Sequence, residues 1–178
     1  MNPPNAFASN GPLVWSQPKA MRREYQLSNG DELVGWLRFE KFSGSLATAE
    51  VASQNWTFKR EGFLHPRVTV RAQNSEVNLA VFHPSWSGGG VVEFPDGRQI
   101  RWRHASFWRS EWAFVQGEDR QLLLFKQHEG FLKISARLEC DPANAAGLGL
   151  PLLAALGWYL MLLTAQDSAA AASVAAIS

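Results

Sequence analysis

The residues best suited to chemistry form a short arginine-rich segment. Four arginines and no acidic residue occur within one stretch of twelve residues, which ends at Arg109. On a strand, Arg101 and Arg103 lie on one face and the apolar Trp102 between them lies on the other. Guanidinium groups bind phosphate through paired hydrogen bonds, and tryptophan suits the boundary between water and lipid. The sequence therefore predicts a site for lipid phosphate groups formed by Arg101, Arg103, Trp108 and Arg109.

A structural role would explain the same arginines without any ligand. On a solvated strand face they would pair with Glu93 or Glu111 of neighbouring strands, and such exposed pairs do little for stability. A nucleic-acid site would need stacking aromatic side chains on the same exposed face. The formal net charge of +1 also argues against nucleic acid. The predicted partners are anionic lipid headgroups or another protein.

No motif in the sequence indicates an enzyme, a metal site or a cofactor. The four histidines are scattered, and no two have the close spacing of a metal-binding pair. Gly88-Gly89-Gly90 is not followed by the lysine of a phosphate-binding loop, and the Gly-x-Ser-x-Gly turn of a hydrolase does not occur. Cys140 is the only cysteine, which excludes an internal disulfide. A non-enzymatic binding or scaffold domain is therefore predicted.

The elements that must position these residues are short antiparallel strands. Apolar and polar residues alternate in segments such as Arg67–Arg71, and turn signals such as Asn29-Gly30 and Pro95-Asp96-Gly97 separate the segments. About ten to twelve strands are predicted, with no helix between them. An open sheet of this size leaves unpaired edges, which closure removes. We predict a mainly β protein, an antiparallel closed barrel of about twelve strands.

An apolar segment follows the strands. The 23 residues from Ala143 to Ala165 carry no charge, and the part that begins at Pro151 is apolar on every face of a helix. A wide barrel has an interior that its own side chains do not fill, so this hydrophobic C-terminal helix is predicted to be enclosed by the barrel. The alternative is a membrane span, which the uncharged length permits. Lys and Arg are absent from both flanks, which argues against a span.

These patterns divide the chain into three parts. Residues 1–18 are rich in Pro, Asn and Ser and are predicted to form a flexible N-terminal arm. Residues 19–166 are predicted to form a single barrel domain with its central helix at 150–165, and residues 167–178 a disordered tail. The N-terminal residues lack the basic and apolar regions of a secretory signal, and a lone cysteine suits a reducing compartment. We expect a cytoplasmic monomer, free or peripheral to a membrane.

Three functions are compatible with the sequence. The leading hypothesis is a binding or scaffold domain that contacts membrane lipid phosphates. The second is a C-tail-anchored membrane protein with a cytoplasmic β domain, which requires the apolar helix to span a bilayer. The third is a carrier that holds a small ligand at the barrel mouth, which requires convergent polar groups in a pocket.

Two segments resemble a known superfamily. The first reads Phe107-Trp-Arg-Ser-Glu-Trp-Ala-Phe114, and the second reads Leu150-Pro-Leu-Leu-Ala-Ala-Leu-Gly-Trp-Tyr-Leu160. They are similar to the tubby C-terminal domains, the phospholipid scramblases and the LURP-one-related proteins. The resemblance covers roughly residues 13–165 and implies a twelve-stranded barrel around a hydrophobic C-terminal helix. It also implies a lipid-related function, since tubby domains bind phosphoinositides and scramblases act on membrane lipids, but it assigns no site residue.

Overall fold

The structure, a computed structural model, describes residues 7, 11–86, 88–106, 108–129, 134–140 and 149–175. Within these residues, twelve strands form one closed antiparallel barrel in which sequence neighbours pair and the first strand pairs with the last. The strands are β1 (Leu13–Ser16), β2 (Glu24–Asn29), β3 (Glu32–Phe39), β4 (Ala47–Val51), β5 (Gln54–Glu61), β6 (Arg67–Ala72), β7 (Asn78–Pro84), β8 (Gly90–Glu93), β9 (Gln99–Ser106), β10 (Glu111–Gln116), β11 (Arg120–Glu129) and β12 (Ile134–Cys140). A helix, α1 (Leu150–Ala175), follows them. The predicted fold class is confirmed.

The period-two alternation of the sequence places one face of each strand inside the barrel. In β9, for example, Ile100 and Trp102 are buried, whereas Arg101 and Arg103 are exposed. The turn predicted at Pro95-Asp96-Gly97 joins β8 to β9, and Gly97 adopts the positive φ of 83° that glycine tolerates. Closure pairs every strand on both sides, so the barrel presents no open edge.

The helix α1 fills the interior of this barrel. All its residues from Leu150 to Leu163 are buried except Pro151, which is partly buried. The Trp158 ring stacks on the Trp15 ring at 5.9 Å between centroids, and the Trp15 indole N–H donates a hydrogen bond to the carbonyl oxygen of Ala154 at 3.2 Å. A helix surrounded by strands needs apolar residues on every face, which explains why α1 has no polar stripe over this length.

The length and composition of α1 would also fit a membrane span. Within the described ranges it is the one helix that passes this test, and 67% of its most apolar 18-residue stretch is buried inside the barrel. The helix lies closest to β4, β5 and β11. The small inward side chains of Ala47 and Ala49 on β4 leave room for this close approach. The observed burial favours the predicted enclosed helix over the predicted span.

Both predicted boundaries of the barrel domain differ from those observed. The strand β1 lies within residues 1–18, which were expected to form an arm, because Leu13 and Trp15 are buried and because β1 supplies the pairing that joins β2 to β12. The helix continues beyond residue 165 to Ala175, since the alanines that follow have the highest helix propensity. Residues 1–6, 8–10 and 176–178 of the predicted arm and tail lie outside the described residues.

The topology gives the barrel two distinct ends. We call the end where α1 begins, near Gly149, the entry end, and the end where α1 leaves, near Asp167, the exit end. Odd-numbered strands run toward the exit end, so the connections β1–β2, β3–β4, β5–β6, β7–β8 and β9–β10 lie there. The other connections, among them β2–β3 and β10–β11, lie at the entry end. Residues far apart in sequence therefore meet at each end.

Burial of α1 predicts a large difference between two truncations on the same helix. Leu153 is fully buried, whereas Val174 is 68% exposed. We expect Leu153→Ala to lower the free energy of unfolding by about 2–5 kcal/mol. The matched Val174→Ala change should alter it by less than about 0.5 kcal/mol. Urea unfolding followed by tryptophan fluorescence measures both, and equal small effects would contradict an enclosed helix.

Candidate functional site

The most exposed large apolar side chains of the described residues all lie on loops at the exit end. Each is more than 80% exposed, and they come from five different connections between strands. We call these side chains the rim residues: Met21, Phe42, Phe63, Leu64, Trp86 and Trp108. Large exposed apolar surface on a soluble domain commonly marks a contact with another protein or a membrane.

The loops at the two ends carry opposite charge. In the described loop residues of the exit end, five basic side chains accompany a single acidic one, Glu40. The basic residues are Lys19, Arg22, Arg23, Lys41 and Arg109. The loops of the entry end show the reverse, five acidic residues and one basic residue, Arg98. The acidic residues are Asp31, Glu76, Asp96, Glu118 and Asp119. The nearly neutral chain is therefore strongly polarised along the barrel axis.

Four of the exit-end basic residues point into solvent without an acidic partner. We call Lys19, Arg22, Lys41 and Arg109 the loop cations. All four are exposed, and in the part of the chain that the structure describes their side chains make no ion pair or hydrogen bond. Unpaired cations beside exposed aromatic rings are the combination that a negatively charged, partly apolar surface attracts.

The fifth basic residue, Arg23, holds the β3–β4 loop in place. Its Nη1 donates hydrogen bonds to the carbonyl oxygens of Lys41, Phe42 and Gly44 at 3.1, 2.9 and 2.8 Å. Its Nη2 donates to Oε1 of Gln166 on α1 at 2.9 Å. Burial lowers the pKa of Arg23 from its usual value. The same side chain thus ties the loop that carries Lys41 and Phe42 to the end of the helix.

Two further contacts fix α1 where it leaves the barrel. Nη1 of Arg60 donates to both carboxylate oxygens of Asp167, at 2.9 and 2.7 Å. The Tyr159 hydroxyl donates to the carbonyl oxygen of Ser45 at 2.6 Å. Burial raises the pKa of Tyr159 well above its usual value, so the hydroxyl keeps the proton that it donates. Together with Arg23, these contacts join the end of α1 to β5 and to the β3–β4 loop.

The structure does not bring the four predicted site residues together. Arg101 and Arg103 share an exposed face of β9, as predicted, but both are engaged at the β10–β11 turn of the entry end. Nη2 of Arg101 donates to the carbonyl oxygens of Gly117 and Glu118, and Nη2 of Arg103 contacts Oδ1 of Asp119 at 3.0 Å. The pairing partner is thus Asp119 and not Glu93 or Glu111.

The other two predicted residues lie at the opposite end of the barrel. Trp108 is 99% exposed in the β9–β10 loop, and Arg109 is exposed beside it. They belong to the rim residues and the loop cations, respectively. The proposed cluster is divided because β9 runs from the entry end to the exit end, so Arg101 and Arg109 cannot face the same surface.

The amino-acid sequence of the loops carries a signal for the rim residues that does not take the form of a single motif. Loops between strands are normally polar, yet the β5–β6 loop reads Gly62-Phe63-Leu64-His65-Pro66, with two large apolar residues between turn formers. The pairs Lys41-Phe42 and Trp108-Arg109 repeat the combination of an aromatic ring with a neighbouring cation. Such pairs at successive loops indicate a shared surface only once the strand order is known.

Neither a metal centre nor a known relative defines the site. Among the residues with described positions, no three His, Cys, Asp or Glu side chains are grouped closely enough to hold a metal ion. Comparison of the chain with protein-family models, curated proteins and solved structures finds no match. The resemblance to the tubby, scramblase and LURP-one-related proteins therefore stays a prediction, and the site is interpreted from its own geometry.

The bonds of Arg23 predict different effects for two adjacent arginines. Arg23→Gln removes hydrogen bonds from a charged donor to several carbonyl oxygens, and we expect a loss of about 2 kcal/mol in the free energy of unfolding. Arg22→Gln, the matched control on the exposed neighbour, should change it by less than about 0.5 kcal/mol. Chemical denaturation measures both changes. A similar stability for the two variants would show that Arg23 does not brace the loop.

Proposed function

We propose that the protein is a non-enzymatic, peripheral membrane-binding domain whose exit end docks on an anionic lipid bilayer. One observation supports this proposal above all others. The rim residues and the loop cations share one end of the barrel, and the acidic loops occupy the other. A purely structural role explains neither the exposure of six large apolar side chains nor their association with unpaired cations.

The two sets of residues would bind a bilayer by different forces. The rim residues would bury apolar surface in the interfacial region, where tryptophan is especially favoured. Each loop cation near an anionic surface contributes about 1 kcal/mol, an attraction that extends over roughly a Debye length. Four cations together with several apolar side chains supply enough free energy for reversible binding after the cost of association is met.

The charge polarity of the barrel also favours a single docking orientation. An anionic surface attracts the exit end through the loop cations and repels the entry end through its acidic loops. The hydrogen bonds of Arg23 hold the β3–β4 loop that carries Lys41 and Phe42, so little ordering entropy is lost when this loop enters the interface.

Peripheral binding to the membrane agrees with the burial of α1 better than anchoring by a membrane-spanning C-terminal helix does. The helix cannot fill the barrel and cross a bilayer at the same time, because Leu150 to Leu163 lie among the strands. Withdrawing it would expose the inner face of the barrel, including the fully buried side chains Trp15, Phe58 and Phe125. We therefore propose contact through the loops and not through insertion of the helix.

Removal of the aromatic rim residues should weaken binding to vesicles. We expect the Phe42→Ser, Trp86→Ser and Trp108→Ser triple variant to show a partition coefficient at least about tenfold lower on vesicles containing phosphatidylserine. Flotation on a density gradient measures the bound fraction. The matched control, Leu33→Ser with Val77→Ser, changes exposed apolar residues toward the entry end. Equal flotation of both variants and wild type would contradict docking by the rim.

Neutralising the loop cations should weaken binding in a salt-dependent manner. We expect the affinity for anionic vesicles to fall about 1,000-fold when glutamine replaces Lys19, Arg22, Lys41 and Arg109. Wild-type binding should decrease as salt is raised, whereas the residual binding of the variant should change little.

The control for this experiment changes two arginines of β9 that the sequence predicts to bind lipid phosphate. The Arg101→Gln and Arg103→Gln double variant removes cations that are engaged at the entry end, so it should bind vesicles as wild type does. If this double variant loses binding and the loop-cation variant keeps it, the docking surface lies on β9 and the proposed orientation is wrong.

A further inference from the structure

A cavity of about 450 Å³ lies beside the C-terminal half of α1 at the exit end. The helix packs closest to β4, β5 and β11, and the space opens in the arc of the barrel between β5 and β11, toward β6 to β9. Its apolar lining comes from the strands and from the helix. The strands contribute Val68, Phe82 and Trp102, and the helix contributes Leu160 and Leu163. The volume is within the range of about 300–1,000 Å³ that is typical of small-molecule sites.

A surface groove extends this cavity to the tips of two loops. The groove has a volume of about 460 Å³ and runs between the β5–β6 and β7–β8 loops, where it is lined by Leu64 and Trp86 among others. Both of these are rim residues. Pro66, Arg67 and Pro84 line the groove and the cavity alike. The two spaces thus adjoin one another, and together they outline a path from the proposed bilayer contact to the side of the helix.

The charged groups of this path lie at its mouth. Arg67 lines both spaces and is 54% exposed, with Nη2 3.9 Å from the nearest Glu61 oxygen. At that distance Glu61 is a weak partner, which leaves guanidinium donors of Arg67 for a ligand. The second arginine of the lining, Arg60, is already bound to Asp167. An apolar interior with one available cation at its mouth is complementary to a molecule with an anionic head and a hydrocarbon chain.

We propose that the groove and cavity bind one single-chain anionic amphiphile of the fatty-acid class. Its carboxylate contacts Arg67 at the mouth, and its chain lies along Phe82, Trp102, Leu160 and Leu163. A free fatty acid enters from water, whereas one dissolved in a bilayer enters past Leu64 and Trp86. Only the second route rests on the proposed function, because it requires the exit end to be docked on the membrane.

The test measures binding of oleate, below its critical micelle concentration, to the full chain by isothermal titration calorimetry. We expect one saturable site on the wild-type protein. Ser168 lines the cavity mouth from the exposed face of α1, and Ser168→Trp should lower the affinity at least tenfold by filling the mouth. Ala170→Trp is the matched control, since Ala170 is exposed on the same helix outside the lining, and it should bind oleate as wild type does.

A second pair of variants tests the headgroup contact. Arg67→Gln should lower the oleate affinity about fivefold, whereas Arg38→Gln, at an exposed strand arginine outside the lining, should leave it unchanged. Ala171→Trp, also at the lining and exposed, replaces Ser168→Trp if that variant does not fold. Absence of a saturable site on wild type, or equal affinities of Ser168→Trp and Ala170→Trp, would overturn the cavity proposal.

The Phe42→Ser and Trp108→Ser double variant distinguishes entry from water from entry through the bilayer. It also distinguishes failure of the cavity proposal from failure of the proposed function. Neither residue lines the groove or the cavity. If both proposals are correct, this variant binds free oleate normally but takes up little oleate from phosphatidylserine vesicles. Vesicle binding without an oleate site overturns the cavity proposal alone. An oleate site without vesicle binding by wild type overturns the proposed function and leaves the cavity proposal standing.

Discussion

A closed barrel of twelve strands encloses more space than its own inward side chains fill, and the molecule depends on how this space is occupied. The helix α1 occupies it with buried leucines and two large rings, Trp158 and Tyr159, which are fully buried. Because strands surround the helix, its buried part is apolar on every face, whereas an ordinary surface helix has an apolar stripe on one side only. Barrel closure and helix burial therefore require each other: without α1 the inner face of every strand would be exposed.

The same packing prepares one end of the barrel for binding. Where α1 leaves the strands, Tyr159, Arg60 and Arg23 bond it to the surrounding wall and loops. These bonds hold the end of the helix and the β3–β4 loop, from which Lys41 and Phe42 project. The helix does not fill the exit end completely, and the cavity lies beside it there. The proposed membrane contact and the proposed ligand site are thus consequences of how the core is filled.

The sequence predicted most of the fold, since alternation and turn signals are local properties. It missed β1 because Leu13–Ser16 is only four residues long, follows a Pro- and Asn-rich segment, and is stabilised by partners on β2 and β12. The candidate site was harder to predict, because each of the five loops that carry the described rim residues contributes only one or two of them, and closure of the barrel assembles them. The partners of Arg101 likewise come from a turn sixteen residues away, which the local pattern does not specify.

Hydrogen exchange of the backbone amides of α1, in solution without detergent or lipid, tests the central claim most directly. If the helix is the core of the barrel, the amides from Leu153 to Leu163 exchange as slowly as those of the central strands, because both open only with global unfolding. Their protection should be lost together with that of the strands when urea is added. Rapid exchange of these amides while the strands stay protected would contradict the account, since the barrel would then be stable without its helix.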